Sequence, residues 1–109
     1  MKLQLNKQAF EGEWFDFNDE LKLFIKPVGY FDIEIPSALQ GDADRQKAAE
    51  ISMLTKALVD WKGVEDDGKP VECNDEAKRI ALNHYPSIRN FVAEKMLKLQ
   101  NKIEEELKN

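Results

Sequence analysis

The side chains that most often carry out chemistry in proteins are scarce in this sequence. His84 is the only histidine and Cys73 is the only cysteine. A structural zinc site usually needs four cysteine or histidine ligands, and an internal disulfide needs two cysteines. The sequence therefore predicts no metal site of this kind and no internal disulfide.

His84 and Cys73 both have a structural interpretation. His84 stands where a helix is expected to end, and a histidine there interacts favourably with the last carbonyl groups. A helix N-terminus lowers the pKa of a thiol, which would favour a reactive Cys73, but the neighbouring Glu72, Asp75 and Glu76 oppose a thiolate. We interpret His84 as a helix-end residue and Cys73 as a small packing residue, with catalysis or pH sensing by His84 as the alternative.

No other residue type forms a recognisable catalytic arrangement. The three serines Ser37, Ser52 and Ser87 lie in no Gly-x-Ser-x-Gly turn. The acidic segment 65–68 lacks the alternating ligands and the closing glutamate of a calcium loop. The five glycines are scattered singly, so they form no phosphate-binding loop. We therefore predict a protein that is not an enzyme and that has no catalytic residues, no metal and no cofactor.

The composition is that of an acidic globular protein. A chain of 109 residues suits one domain, and a net charge of -5 provides no broad basic surface for phosphate backbones. No apolar run approaches the ~20 residues that span a bilayer. Residues 1–7 lack the apolar stretch and cleavage site of a secretory signal. We expect a single domain over residues 1–109, located in the cytoplasm, with neither nucleic acid nor a membrane as partner.

The apolar residues of the first third alternate with polar ones, as is typical of strands. Two strands are predicted at residues 13–17 and 21–25. A third strand is predicted at residues 31–35, and residues 2–6 are a candidate fourth strand at the edge. We therefore predict a strand-rich part over residues 1–36, folded as a small antiparallel sheet of three to four strands whose apolar face must be covered.

Farther along the chain the apolar residues recur at helical spacing. The first predicted helix is capped by Asp42 or Asp44 and ended by Gly63, and its apolar stripe consists of Ala48, Ile51, Leu54, Leu58 and Trp61. Trp61 is accordingly predicted to be a core residue. The helical part, residues 42–109, should cover the sheet, which gives an α+β fold with three C-terminal helices.

Two more helices and a turn are predicted downstream. Residues 65–70 contain an Asp-Gly turn that favours a hairpin or an exposed loop. Pro86 suits the first turn of the last helix, which the apolar spacing extends to residue 107. Asn74 is a favourable N-cap for the helix before it, whose inner side should carry Ala77, Ile80, Ala81 and Leu82.

The last predicted helix carries an apolar seam in its second half. Its members recur at spacings of three and four residues, as in helices that pack on another helix, and they are Met96, Leu99, Ile103 and Leu107. Little sequence remains after them to provide a cover. We predict that the seam binds a partner protein or a second copy of the chain, and the alternative is that it packs on its own domain.

Residues 58–92 resemble a pattern found in the small tail assembly chaperones of long-tailed bacteriophages and prophages. The resemblance lies in Leu58-Val59-Asp60-Trp61-Lys62-Gly63-Val64, in Asp66-Asp67-Gly68-Lys69-Pro70 and in the later Tyr85-Pro86 step. The N-terminal part is similar only in length and in the order of strands and helices. The matched residues look structural, with no catalytic residue among them, and they include Trp61, Gly63, Gly68, Pro70 and Pro86.

The resemblance implies a role in virion assembly. Chaperones of this family bind the tape measure protein, keep its long helices soluble and help the tail tube protein to polymerise around it. The acidic charge and the long last helix are compatible with such a role. Two alternatives remain: a small structural virion protein, such as a tail completion or head–tail connector protein, and a general protein-interaction domain.

Overall fold

The computed structural model describes residues 7–29 and 41–105, together with Leu3, Leu5 and Asp32. Within these residues the chain forms a three-stranded antiparallel sheet, a two-stranded hairpin and three α-helices. The first and last helices contact the sheet, the middle helix packs on these two helices, and the buried apolar residues of strands and helices form one cluster. The predicted α+β class is confirmed.

The first two strands lie where the alternation predicts them. β1 spans Glu13–Asp16 and pairs antiparallel with β2, which spans Lys22–Ile25. The turn between them is held by Asn18, whose Oδ1 accepts hydrogen bonds from the N–H groups of Glu20 at 2.9 Å and Leu21 at 2.7 Å. Such side-chain bonding is the reason that asparagine favours turns.

The third strand of the sheet differs from the prediction. The second neighbour of β2 is β3, Leu58–Lys62, a segment predicted to end the first helix. Of the strand predicted at residues 31–35, only Asp32 is described, and it lies outside any strand. The candidate edge strand at residues 2–6 has only Leu3 and Leu5 described, and neither is in a strand.

A β-bulge explains why the apolar spacing of the β3 segment predicts a helix. Ile25 pairs with Leu58 and Phe24 with Asp60, so Val59 is an extra residue in the ladder. The bulge brings Leu58 and Trp61, three residues apart, onto the same buried face, and this spacing also fits a helix. The strands and hairpin at residues 58–70 therefore lie inside the part predicted to be helical.

The first helix, α1, spans Asp42–Ala57 and begins without a side-chain cap. Gly41 occupies the N-cap position with a φ of 88°, and Asp42 is already helical. The predicted capping by Asp42 or Asp44 is therefore wrong, because neither residue precedes the first turn. The helix contributes Leu54 and Ala57 to the core.

Of the two structures that the Asp-Gly turn favours, a hairpin or an exposed loop, the chain forms the hairpin. β4, Glu65–Asp66, pairs with β5, Lys69–Pro70. The turn residues Asp67 and Gly68 have φ values of 51° and 76°. Two consecutive positive φ values are the mark of a type I′ hairpin turn, for which Asp-Gly is a preferred sequence. Gly68 therefore supplies a positive φ that this turn requires.

The second helix, α2, spans Asp75–His84 and is capped as predicted. The Oδ1 of Asn74 accepts a hydrogen bond from the N–H of Ala77 at 2.9 Å. Leu82 is fully buried, and Ala77 and Ala81 are partly buried. The prediction that Ile80 lies on the inner side of the helix is wrong. Ile80 lies about 200° around the helix from Leu82 and faces outward.

Removing this cap should destabilise the protein modestly. We expect Asn74→Ala to lower the free energy of unfolding by about 1 kcal/mol, because the N–H of Ala77 loses its partner. Urea denaturation measures the change. The matched control is Asn90→Ala, an exposed position inside the last helix, and equal effects of the two substitutions would contradict the cap.

The last helix, α3, spans Pro86–Glu105 and begins at the predicted proline. Its 20 residues extend about 30 Å along the domain. Val92, Met96 and Leu99 are buried against the sheet and the other helices. The predicted continuation to Leu107 lies outside the described residues.

Candidate protein-binding groove

The predicted partner-binding seam is divided between the core and the surface. Met96 is 1% exposed and Leu99 is 6% exposed, so both are core residues. For these two residues the prediction of a partner contact is wrong. The alternative prediction, that the seam packs on its own domain, applies to them. Ile103 is only partly buried, and Leu107 lies outside the described residues. The accessible part of the described seam is therefore Ile103.

Ile103 lies in a surface groove at the end of α3. The groove has a volume of about 510 Å³, and its apolar lining consists of Phe10, Pro27, Val28 and Ile103. Phe10 is 47% exposed although it is a large aromatic residue. We call this feature the Phe10–Ile103 groove. It is wide enough to accept apolar side chains of another protein.

Two segments from the N-terminal part form the walls of the groove. One is a short 3₁₀ helix, Lys7–Phe10, which lies beside the last turns of α3. The other is the turn that follows β2, where the Gln100 Nε2 donates a hydrogen bond to the Val28 carbonyl at 2.8 Å. Since Val28 is buried, this bond fixes the turn against α3. This wall of the groove is therefore bonded to α3, whereas the 3₁₀ helix that forms the other wall has no buried residue.

Charged side chains of both signs also line the Phe10–Ile103 groove. Lys26, Asp32 and Glu104 line it, together with the amide of Gln100. Protein–protein interfaces likewise combine apolar and polar side chains. The apolar side chains of the groove can contact those of a partner, and the charged ones can select for charge. Among the described residues that line the groove there is no serine, threonine, cysteine or histidine.

The reactive residues considered from the sequence lie elsewhere. His84 is the last residue of α2 and is exposed, and Cys73 is half-buried beside the core. Burial raises the pKa of the Cys73 thiol to about 11; the nearby Lys78 opposes this shift, while Asp60 and Asp75 add to it. Cys73 is therefore a thiol at neutral pH, which agrees with its interpretation as a packing residue.

Metal-binding groups and membrane-spanning helices are both lacking in the described part of the chain. Among residues 7–29 and 41–105, no three histidine, cysteine or carboxylate side chains are grouped so as to hold a metal ion. No helix in the same ranges combines the length and the apolar character of a membrane span.

The sequence pattern missed the contribution of Phe10 to the groove. The only signal was a large aromatic residue in a stretch that is otherwise polar, Asn6-Lys7-Gln8-Ala9-Phe10-Glu11. Periodicity gives no indication that this stretch lies beside Ile103, because the two are more than ninety residues apart. Only the tertiary fold brings them together.

Comparisons with known proteins identify no relative of this chain. A scan against protein-family models, a search of curated proteins and a search of solved structures found no match to this chain. The observations that bear on function are the groove, the exposed surfaces of the fold and the resemblance over residues 58–92.

Proposed function

We propose that this protein is a non-enzymatic tail assembly chaperone of a phage or prophage, and that it binds the tape measure protein. The observation that carries the proposal is the Phe10–Ile103 groove, whose lining combines apolar and charged side chains. The resemblance over residues 58–92 supports the choice of partner. In the family pattern that this segment resembles, a helix ends at the residues around Trp61, whereas here these residues form strand β3.

The groove suits a helical partner. Amphipathic helices bind by laying an apolar face into a groove, with anchors at successive turns. Phe10 and Ile103 would contact such anchors, because both side chains retain exposed surface in the folded protein. The tape measure protein, which the resemblance implies as partner, is rich in long helices that need cover before the tail tube forms. Covering one apolar face of those helices is the activity we assign to the groove.

Substitution of Phe10 tests this assignment. We expect Phe10→Ser to abolish co-purification with a co-expressed tape measure protein, because apolar anchors supply most of the energy of such interfaces. The melting temperature should change little, since Phe10 is largely exposed. Ile103→Ser should reduce binding as well, with some loss of stability because Ile103 is partly buried.

The matched control is Leu97→Ser. Leu97 is 53% exposed and lies on another face of α3, in a shallow depression with Glu94 and Lys98. The Leu97→Ser variant should bind the tape measure protein as well as the unchanged protein does. Loss of binding in Leu97→Ser with retention in Phe10→Ser would move the contact to that outer face and would overturn the assignment.

A further inference from the structure

Among the described residues, β1 is an edge strand of the three-stranded sheet. The strand order is β1-β2-β3, so β1 has a partner on one side only. The N–H of Phe17 donates to the Leu21 carbonyl at 2.9 Å, which continues the ladder toward β2. Because such bonds alternate along an antiparallel strand, the N–H and C=O groups of Trp14 and Asp16 point away from β2. Within the described residues, no strand pairs with them.

The opposite edge of the sheet is blocked. At β3 the N–H of Trp61 donates to the Oδ1 of Asp60 at 2.8 Å. The indole Nε1 of Trp61 donates to the Val71 carbonyl at 2.8 Å, and the N–H of Val71 donates to the Val64 carbonyl. The hairpin that follows β3 is thereby held beside it. A side-chain cap and a neighbouring hairpin both hinder strand addition, so β1 is the accessible edge.

An aromatic side chain stands beside the β1 edge. Trp14 is 40% exposed on the face of the sheet that points away from the core. Its ring meets the Phe24 ring edge to face, with centroids 5.2 Å apart. The Lys62 Nζ lies 4.7 Å from the centre of the same ring. These contacts hold Trp14 in place, and an ordered, exposed tryptophan is a common anchor of protein interfaces.

The charges of β1 and of the turn after it are mainly acidic, although Asp16 shares its charge with Lys22, whose Nζ lies 3.6 Å from the Asp16 Oδ1. Residues 11–20 contain no lysine or arginine, and their acidic residues are Glu11, Glu13, Asp16, Asp19 and Glu20. A second copy of β1 would bring two such acidic segments together, which is unfavourable because like charges across strands repel. A segment with lysine or arginine opposite Glu13 and Asp16 would be attracted.

We infer that β1 is a docking edge for an extended, basic segment of another protein. The segment adds as a fourth strand, with main-chain bonds to Trp14 and Asp16, basic side chains near Glu13 and Asp16, and an apolar side chain against Trp14. The inference does not depend on the Phe10–Ile103 groove. It assigns a second interaction surface, at the edge strand of the sheet.

A synthetic peptide with two valines flanked by lysines is the probe. We expect it to bind the full chain and to slow hydrogen exchange at the N–H groups of Trp14 and Asp16, which should exchange rapidly in the free protein. Glu13→Gln and Asp16→Asn should each weaken binding by about two- to fivefold, and added salt should weaken it further.

Backbone methylation provides the decisive control. The same peptide with N-methyl groups along one edge keeps its charge and side chains but has lost the donors of that edge. We expect methylation of the edge that faces β1 to abolish binding. Unchanged binding of the methylated peptide, protection at other amides, equal binding of a glutamate-flanked peptide, no binding at all, or self-association through β1 would each overturn the inference.

Discussion

Replacing Trp61 with alanine is expected to lower the free energy of unfolding by about 3–5 kcal/mol, the range for deleting a buried aromatic residue. Trp61 is 7% exposed and lies opposite Leu23 on the buried face of the sheet. Its indole also donates the hydrogen bond to Val71 that joins the sheet to the hairpin. The substitution therefore removes core volume and a tertiary hydrogen bond together.

Urea denaturation of Trp61→Ala and Trp14→Ala compares the two tryptophans directly. Trp14 belongs to the same sheet but stands on its outer face, so its removal should cost less than half as much. Similar losses for the two variants would show that Trp61 does not have the core position described.

The second large effect is expected at Gly63. Its φ is 95°, and a Cβ at this position would overlap the carbonyl group of Glu20, which belongs to the turn after β1. We expect Gly63→Ala to cost about 2–6 kcal/mol, which combines about 1–3 kcal/mol for a non-glycine residue at positive φ with about 1–3 kcal/mol for overpacking. Chemical denaturation measures the loss.

Gly68 provides the matched control for Gly63. Its φ is 76°, but an added Cβ would meet no atom within 4 Å. Gly68→Ala should therefore cost only the conformational part, about 1–2 kcal/mol. If both variants lose the same stability, the close approach of Gly63 to Glu20 has no energetic importance.

The parts of the fold that sequence predicted correctly are set by local chemistry. Asn74 caps α2 because its side chain accepts from an N–H three residues away, and Pro86 begins α3 because its fixed φ suits a first turn. The Asp-Gly hairpin follows from the same kind of local preference. These features need no information about distant residues.

The errors arise where distant residues decide the outcome. Leu58 and Trp61 fit a helical stripe, but pairing with β2 through a bulge makes their segment a strand. Met96 and Leu99 have the spacing of a partner seam, which is also the spacing of a core-facing helix. Their burial depends on the sheet and helices packed around them, and Phe10 completes the groove from the far end of the chain.

The central claim is that a helical partner binds in the Phe10–Ile103 groove. Nuclear magnetic resonance of isoleucine methyl groups, recorded while helical fragments of the tape measure protein are added, tests it most directly. We expect the Ile103 methyl signal to shift on binding, and the signal of Ile80, which is exposed on α2, to remain in place. A shift at Ile80 with none at Ile103 would contradict the account.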